Sequence, residues 1–197
     1  MKVRTLLLAA IVLLGGAAIA HAASGSVGIH AGLSAPSGDL ARAVGDGFHV
    51  GFSVAYPLDS RSGIGFDAHY HVLAEKTSVV RVLGFPISLR EKANILEAAL
   101  SVRAVLAPKG TRVAPYLKGG FGVDHVAADA ILTSQTSSIR TTESHLWPGL
   151  LGGVGVSMRL GDATGLSLEG LFHQIVSDNG PTDLYTVALS YWSRINR

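Results

Sequence analysis

Phe48-His49-Val50-Gly51-Phe52-Ser53-Val54-Ala55-Tyr56 decides the fold, because large apolar residues trade places with small or polar ones at every step of the nine. Period two puts Phe48, Val50, Phe52, Val54 and Tyr56 on one face and His49, Gly51, Ser53 and Ala55 on the other. Only an extended strand sorts residues this way; a helix would spread both sets around its circumference.

The pattern continues in both directions. Upstream, Val27, Ile29, Ala31 and Leu33 alternate with Gly28, His30, Gly32 and Ser34, and the turn-forming Pro36-Ser37-Gly38-Asp39 and Gly45-Asp46-Gly47 separate this stretch from the next. Downstream of the turn 57–63, Ile64, Phe66, Ala68, Tyr70 and Val72 alternate with Gly65, Asp67, His69 and His71. Five further stretches start near Leu96, Pro115, Leu150, Leu166 and Tyr185, giving eight between Ser26 and Trp192. The alanine-rich fourth stretch has helix as a competitor, but its charges Glu97 and Arg103 fall on one period-two face, which favours strand.

The connections alternate in length. Those at 36–47, 74–93, 124–148 and 176–183 are long, while 57–63, 107–111 and 161–164 are short; 124–148, rich in Ser and Thr, is still partly alternating, which allows its flanking strands to extend beyond the bilayer as a hairpin. A strand between lipid and a packed interior must alternate, and about 9 to 11 residues suffice to cross. The expectation is an all-β, eight-stranded, antiparallel up-and-down transmembrane β-barrel in a bacterial outer membrane. An even strand number puts both termini on one side, the periplasmic one, with the long loops outside.

Composition agrees. Lys2 and Arg4 precede an unbroken apolar and glycine run from Leu6 to Ala20, and Ala20-His21-Ala22 offers a small-x-small cleavage site. Residues 1–22 are therefore expected to be a signal peptide cleaved after Ala22, leaving one barrel domain over 23–197. The segment contains two of the 16 basic residues and none of the 14 acidic ones, so the mature charges balance at 14 each. That balance, with export, argues against a nucleic-acid partner. The absence of cysteine means stability without disulfides, which a closed ring of backbone hydrogen bonds supports.

Three motifs carry a family likeness: Gly32-Leu33-Ser34-Ala35-Pro36-Ser37-Gly38-Asp39, Ala114-Pro115-Tyr116-Leu117-Lys118-Gly119-Gly120-Phe121-Gly122, and Gly153-Val154-Gly155-Val156 before a short turn. They resemble the small bacterial outer membrane protein beta-barrel domain family, with its OmpA-type and OmpX-type eight-stranded barrels. The resemblance spans the mature chain and implies outer-membrane lipid as surroundings and the barrel-assembly machinery as a partner during biogenesis. Members usually end on an aromatic residue that this machinery reads; here Tyr191-Trp192 precedes Ser193-Arg194-Ile195-Asn196-Arg197, so Tyr191 or Trp192 is the equivalent.

Pairing Ala55 with Gly65 across the first short turn sets Gly51 against His69 and His49 against His71, gathering histidines inside the barrel. Glu97 at the same height makes His49, His71 and Glu97 a conceivable divalent-metal set, against the plainer reading of a hydrogen-bonded interior with no metal and no cofactor. Asp67, Glu97 and Glu169 balance Arg103, Lys118 and Arg159, which with His69 and His71 gives a polar network filling the lumen. A plugged barrel is expected. Glycines 119, 120, 122, 152, 153 and 155 relieve crowding between curved strands.

No catalytic residues are assigned. A lipid A-modifying enzyme is one alternative, with Ser144, His145, His173, Ser177 and Asp178 as raw material; nothing in their spacing brings nucleophile and base together. A soluble lipocalin-like barrel is the other, with the apolar face turned inward to bind a small ligand. The preferred function is a non-enzymatic scaffold, or recognition of an extracellular partner by the outer loops.

Overall fold

The computed structural model describes residues 24–82, 85–108, 110–134, 137–178 and 180–196; the expected signal segment 1–22 and its cleavage after Ala22 lie outside them. The elements are β1 (Ser24–Pro36), α1 (Gly38–Ala43), β2 (Val44–Pro57), β3 (Ser62–Val82), β4 (Phe85–Val105), β5 (Val113–Thr133), β6 (Ser138–Arg159), β7 (Thr164–Ser177) and β8 (Gly180–Asn196). The eight strands form a closed antiparallel barrel in chain order. β1 and β8 complete the ring from Ser24 opposite Asn196 to Pro36 opposite Leu184, so the basic tail after Trp192 is paired strand up to Asn196.

Register follows from the short turns. Asp59 Oδ1 accepts the amides of Arg61 and Ser62 at 2.6 and 2.7 Å, and its Oδ2 accepts the Ser62 hydroxyl at 2.6 Å. These bonds, the hydroxyl's first, hold the exposed Asp59 carboxyl below its usual range. The turn so fixed sets Ala55 opposite Gly65, Gly51 opposite His69 and His49 opposite His71. β4 continues the row with Glu97 opposite His69.

The two faces of the wall differ as period two demands. Ile29, Leu33, Phe121, Leu100 and Leu168 are 55 to 71% exposed on the outside, while Asp67, His69, His71 and Glu97 are buried inside. An apolar exterior over closed backbone hydrogen bonding suits a lipid surrounding. The soluble, ligand-binding alternative required the reverse and is corrected by this orientation.

Three of the long connections differ from expectation, whereas 124–148 extends its flanking strands as a hairpin, in keeping with its partial alternation. β3, β4 and β5 have 21 residues each and β6 has 22, against 13 in β1 and 14 in β2 and β7. Most of 74–93 and 124–148 is therefore strand: Lys76 pairs with Glu91, Ser88 with Thr133, and Thr133 with Ser138. The last connection likewise shrinks to the turn between Ser177 and Gly180. Residues 74–79 and 138–146 are exposed on both faces, so no lipid face imposes alternation there. The first outer connection folds into α1, six residues and too short to leave a helical period in the sequence. The crowding role fits Gly120, Gly122, Gly153 and Gly155, where an added Cβ would collide with neighbours. Gly152 instead faces open space, and a Cβ at Gly119 would meet the Leu151 carbonyl only at ordinary contact distance.

A layered lumen with a histidine–carboxylate cluster

Four layers of inward side chains fill the barrel. The outermost is apolar: Val44, Leu73, Ala93, Ile95, Ile175 and Leu184, each at most 3% exposed, with Leu40 and Ala43 of α1 and Val126 and Trp147 packed against them. Val44 joins this layer because the β2–β3 register shifts between Gly45 and Gly47.

Beneath it lies the cluster that the register builds. Glu97 Oε2 sits 3.0 Å from His69 Nδ1, 3.4 Å from His71 Nε2 and 3.2 Å from His173 Nδ1. His173 Nε2 lies 3.2 Å from Asp124 Oδ2, which places the ring between two carboxylates. Ser34 Oγ is 2.9 Å from His71 Nδ1 and 3.1 Å from His49 Nδ1. His30 packs its ring against His69, with centroids 4.4 Å apart.

Glycine makes this congregation possible. Gly51 stands between His30 and His69 in the ladder, and a Cβ there would overlap the His30 ring. Gly149 does the same for the Asp124–His173 contact, where an added Cβ would overlap both side chains. A buried carboxylate is tolerated only with partners. Even so, neither oxygen of the fully buried Asp124 accepts a hydrogen bond among the described residues, His173 being at ion-pair distance only.

A small apolar layer of Ala99, Leu151 and Leu171 follows. Below it Lys118 Nζ bridges Asp67 Oδ1 at 2.7 Å and Glu169 Oε2 at 3.6 Å, and Ser101 donates to Asp67 Oδ2 at 2.6 Å. Tyr116 donates its hydroxyl to Glu169, and the Arg103 guanidinium lies 3.5 Å from the centre of the Tyr116 ring. Near the periplasmic rim Trp192 donates to Ser157 Oγ at 3.2 Å.

Of the residues singled out from sequence, Asp67, His69, His71, Glu97, Arg103, Lys118 and Glu169 all lie in these layers. Arg159 does not: its guanidinium donates to the carbonyls of Gly110 and Thr111 in the turn between β4 and β5. In the conceivable metal set, His49 gives way to His69. The donor atoms of His69, His71 and Glu97 lie within 4.8 Å of one another, as do those of Glu97, Asp124 and His173. Sequence reasoning assigns Asp124 to a loop and treats His173 only as a possible base. Asp124 is nonetheless visible as the next inward position after Lys118, Gly120 and Gly122.

The serine–histidine alternative is not assembled. Ser144 is exposed and seven residues along β6 from Leu151, the position paired with His173, which is on the order of 20 Å away. Ser177 donates its hydroxyl to the Gly180 carbonyl at 2.6 Å, at the end of β7.

The barrel has solved counterparts. Neisserial surface protein A is 16% identical, with 89% of this chain and 98% of that one covered and a TM-score of 0.57. OprG, an outer membrane protein of Pseudomonas aeruginosa, is 16% identical over 89% of this chain and 97% of its own, with a TM-score of 0.55. A major outer membrane protein of Thermus thermophilus is 14% identical over 89% and 100%, with a TM-score of 0.51. At these identities the likeness concerns the fold alone. Among curated proteins, none matches the sequence. The family model for the outer membrane protein beta-barrel domain, however, matches residues 6–191. An apolar exterior, a closed eight-strand ring and that match agree: the chain belongs to the outer membrane protein beta-barrel domain family and resides in the cell outer membrane.

Proposed function

We propose that this barrel is a closed scaffold that presents the outer ends of β3 to β6 for recognition at the cell surface, and that it is neither a pore nor an enzyme. The observation that carries this reading is the protruding sheet. About 9 to 11 residues cross a bilayer, and these four strands run to 21 or 22. Their outer parts are exposed on both faces in β3 and β6 and half-exposed in β4 and β5, with Glu75, Lys76, Arg90, Lys92, Asp129, Arg140 and Glu143 distributed over them. Binding residues concentrate on such projections because a rigid scaffold holds them in place. The lumen polar network is structural in this reading. Tyr191, facing outward near the end of β8, serves as the aromatic signal for the barrel-assembly machinery.

The test uses the chain's lack of cysteine. Ser78→Cys in intact cells should react with a membrane-impermeant maleimide, and Asp162→Cys should react only after lysis. Barrels in lipid nanodiscs would then be screened on arrays of glycans and surface proteins, with residues 77–90 replaced by a two-residue turn as the comparison. Binding that disappears with the shortened hairpin supports recognition; no binder, or binding indifferent to the hairpin, sinks it.

A further inference from the structure

We propose that the lumen binds one divalent transition-metal ion, zinc by preference, on His69 Nδ1, His71 Nε2 and Glu97 Oε2. Ligands about 2.0 to 2.1 Å from zinc in tetrahedral array stand roughly 3.3 Å apart. The Glu97 oxygen lies 3.0 Å from the His69 nitrogen and 3.4 Å from that of His71, so the spacing already matches an edge of such a site. Two imidazoles and one carboxylate form a donor set that suits zinc, copper or nickel over calcium or magnesium, which prefer oxygen alone.

The surroundings have the character of an outer coordination sphere. A ligating histidine normally donates its other ring N–H to an oxygen, which fixes the tautomer. His71 Nδ1 has that partner in Ser34 Oγ at 2.9 Å, leaving Nε2 to face Glu97 with its lone pair. The Ser34 hydroxyl then donates to His49 Nδ1 at 3.1 Å, which assigns His49 to support. On the other side His173 spans Glu97 Oε2 and Asp124 Oδ2, at 3.2 Å from each, and orients the ligating carboxylate.

Charge supplies a separate argument. Glu97 and Asp124 are both fully buried, and their only ion-pair partners among the described residues are histidines. The lower layer, by contrast, has Lys118 for its two carboxylates. Asp124 in addition has two oxygens without a hydrogen bond, inside a layer where a bare carboxylate is costly. A dication on the adjacent triad compensates both groups at once. Because the apolar layer closes the outer side, the ion enters as the barrel closes.

The test is to refold the urea-unfolded chain into detergent with zinc chloride or with EDTA, desalt, and count metal by plasma mass spectrometry. One zinc per barrel is expected for the wild type and for His145→Gln, with loss of at least nine-tenths in Glu97→Gln and in His69→Gln. Each variant would be checked for the heat-dependent gel shift of a folded barrel. X-ray absorption on the wild-type sample alone should show a shell of nitrogen and oxygen near 2.0 Å with scattering from two imidazoles, a result independent of whether the variants fold. Wild-type barrel without zinc overturns the proposal. So does zinc that survives Glu97→Gln, or that leaves only with His145→Gln, which would mark a surface ion.

Discussion

Tyr116 crosses a glycine to reach its partner. It stands opposite Gly155 on β6, and Gly155 stands opposite Glu169 on β7, so the phenol lies over the bare glycine and donates to the carboxylate beyond it. A Cβ on Gly155 would overlap the Tyr116 ring. Gly155→Ala should therefore cost about 1 to 3 kcal/mol by overpacking in urea unfolding from lipid vesicles. In a Tyr116→Ala background most of that cost should vanish; equal costs in both backgrounds would mean that ring and glycine are not coupled. Tyr116→Phe keeps the ring and removes the donor, leaving Glu169 with Lys118 alone; a loss of about 1 to 3 kcal/mol is expected for a buried acceptor left unmade. At this scale the sequence is informative where a short turn pins the register. His49, His69 and His71 can be placed because Asp59 and its neighbours define where β2 and β3 meet. Asp124 escapes notice because His125 follows it on the opposite face, so polar residues fall on both parities at this point of the strand.

The strands β3 to β6 obey different rules along their length. Within the ring one face meets lipid, and alternation is strict; beyond it both faces are exposed or half-exposed, and the pattern blurs into what reads as a loop. A second cause acts just below. Leu73, Ile95, Ile175 and Leu184 point inward and are apolar, so next to outward Val72, Leu96, Val176 and Tyr185 they make runs with no polar face. Read from sequence, four strands end at those positions for this reason. The protruding sheet is tied by Asp129, which accepts the Thr142 hydroxyl at 2.5 Å and lies 3.4 and 3.6 Å from Arg140 and Lys92. The Thr142 bond, ahead of the neighbouring cations, holds the Asp129 carboxyl below its usual value. A depressed carboxylate contributes stability that is present above its unfolded-state value, near 4, and is lost as pH falls through the lower folded-state value. The hairpin of β5 and β6 should hence loosen only in acid, read as faster amide exchange at 127–133 below about pH 4. In Thr142→Val the Asp129 titration, followed by carbon-13 NMR in micelles, should move up toward the ordinary carboxylate range. An unmoved midpoint would remove Thr142 as the cause.

Taken whole, the molecule is a cylinder closed twice over, by an apolar layer under α1 and by an ion-paired layer around Lys118. Neither closure alone is decisive for ions: an apolar constriction excludes them by refusing hydration, and a paired layer by occupying the space with side chains. Together they predict that planar-bilayer recording of the purified barrel gives no large stable conductance step, and such a step would refute the closed lumen. The apolar closure also makes a claim about stability that distinguishes inside from outside. Ile95 is fully buried within the ring, whereas Leu150 is 53% exposed on its outer wall. Ile95→Ala leaves a cavity that surrounding strands cannot collapse into, because each is fixed by hydrogen bonds on both edges, and a loss of about 2 to 5 kcal/mol is expected. Leu150→Ala removes comparable apolar bulk, but lipid tails fill the space, so only the transfer part of the loss remains. Urea unfolding of both variants in the same vesicles should rank Ile95→Ala as clearly the more damaging. If the two prove equal, the outer layer is not packed as a core, and the lumen is open to water from the cell surface down to the histidines.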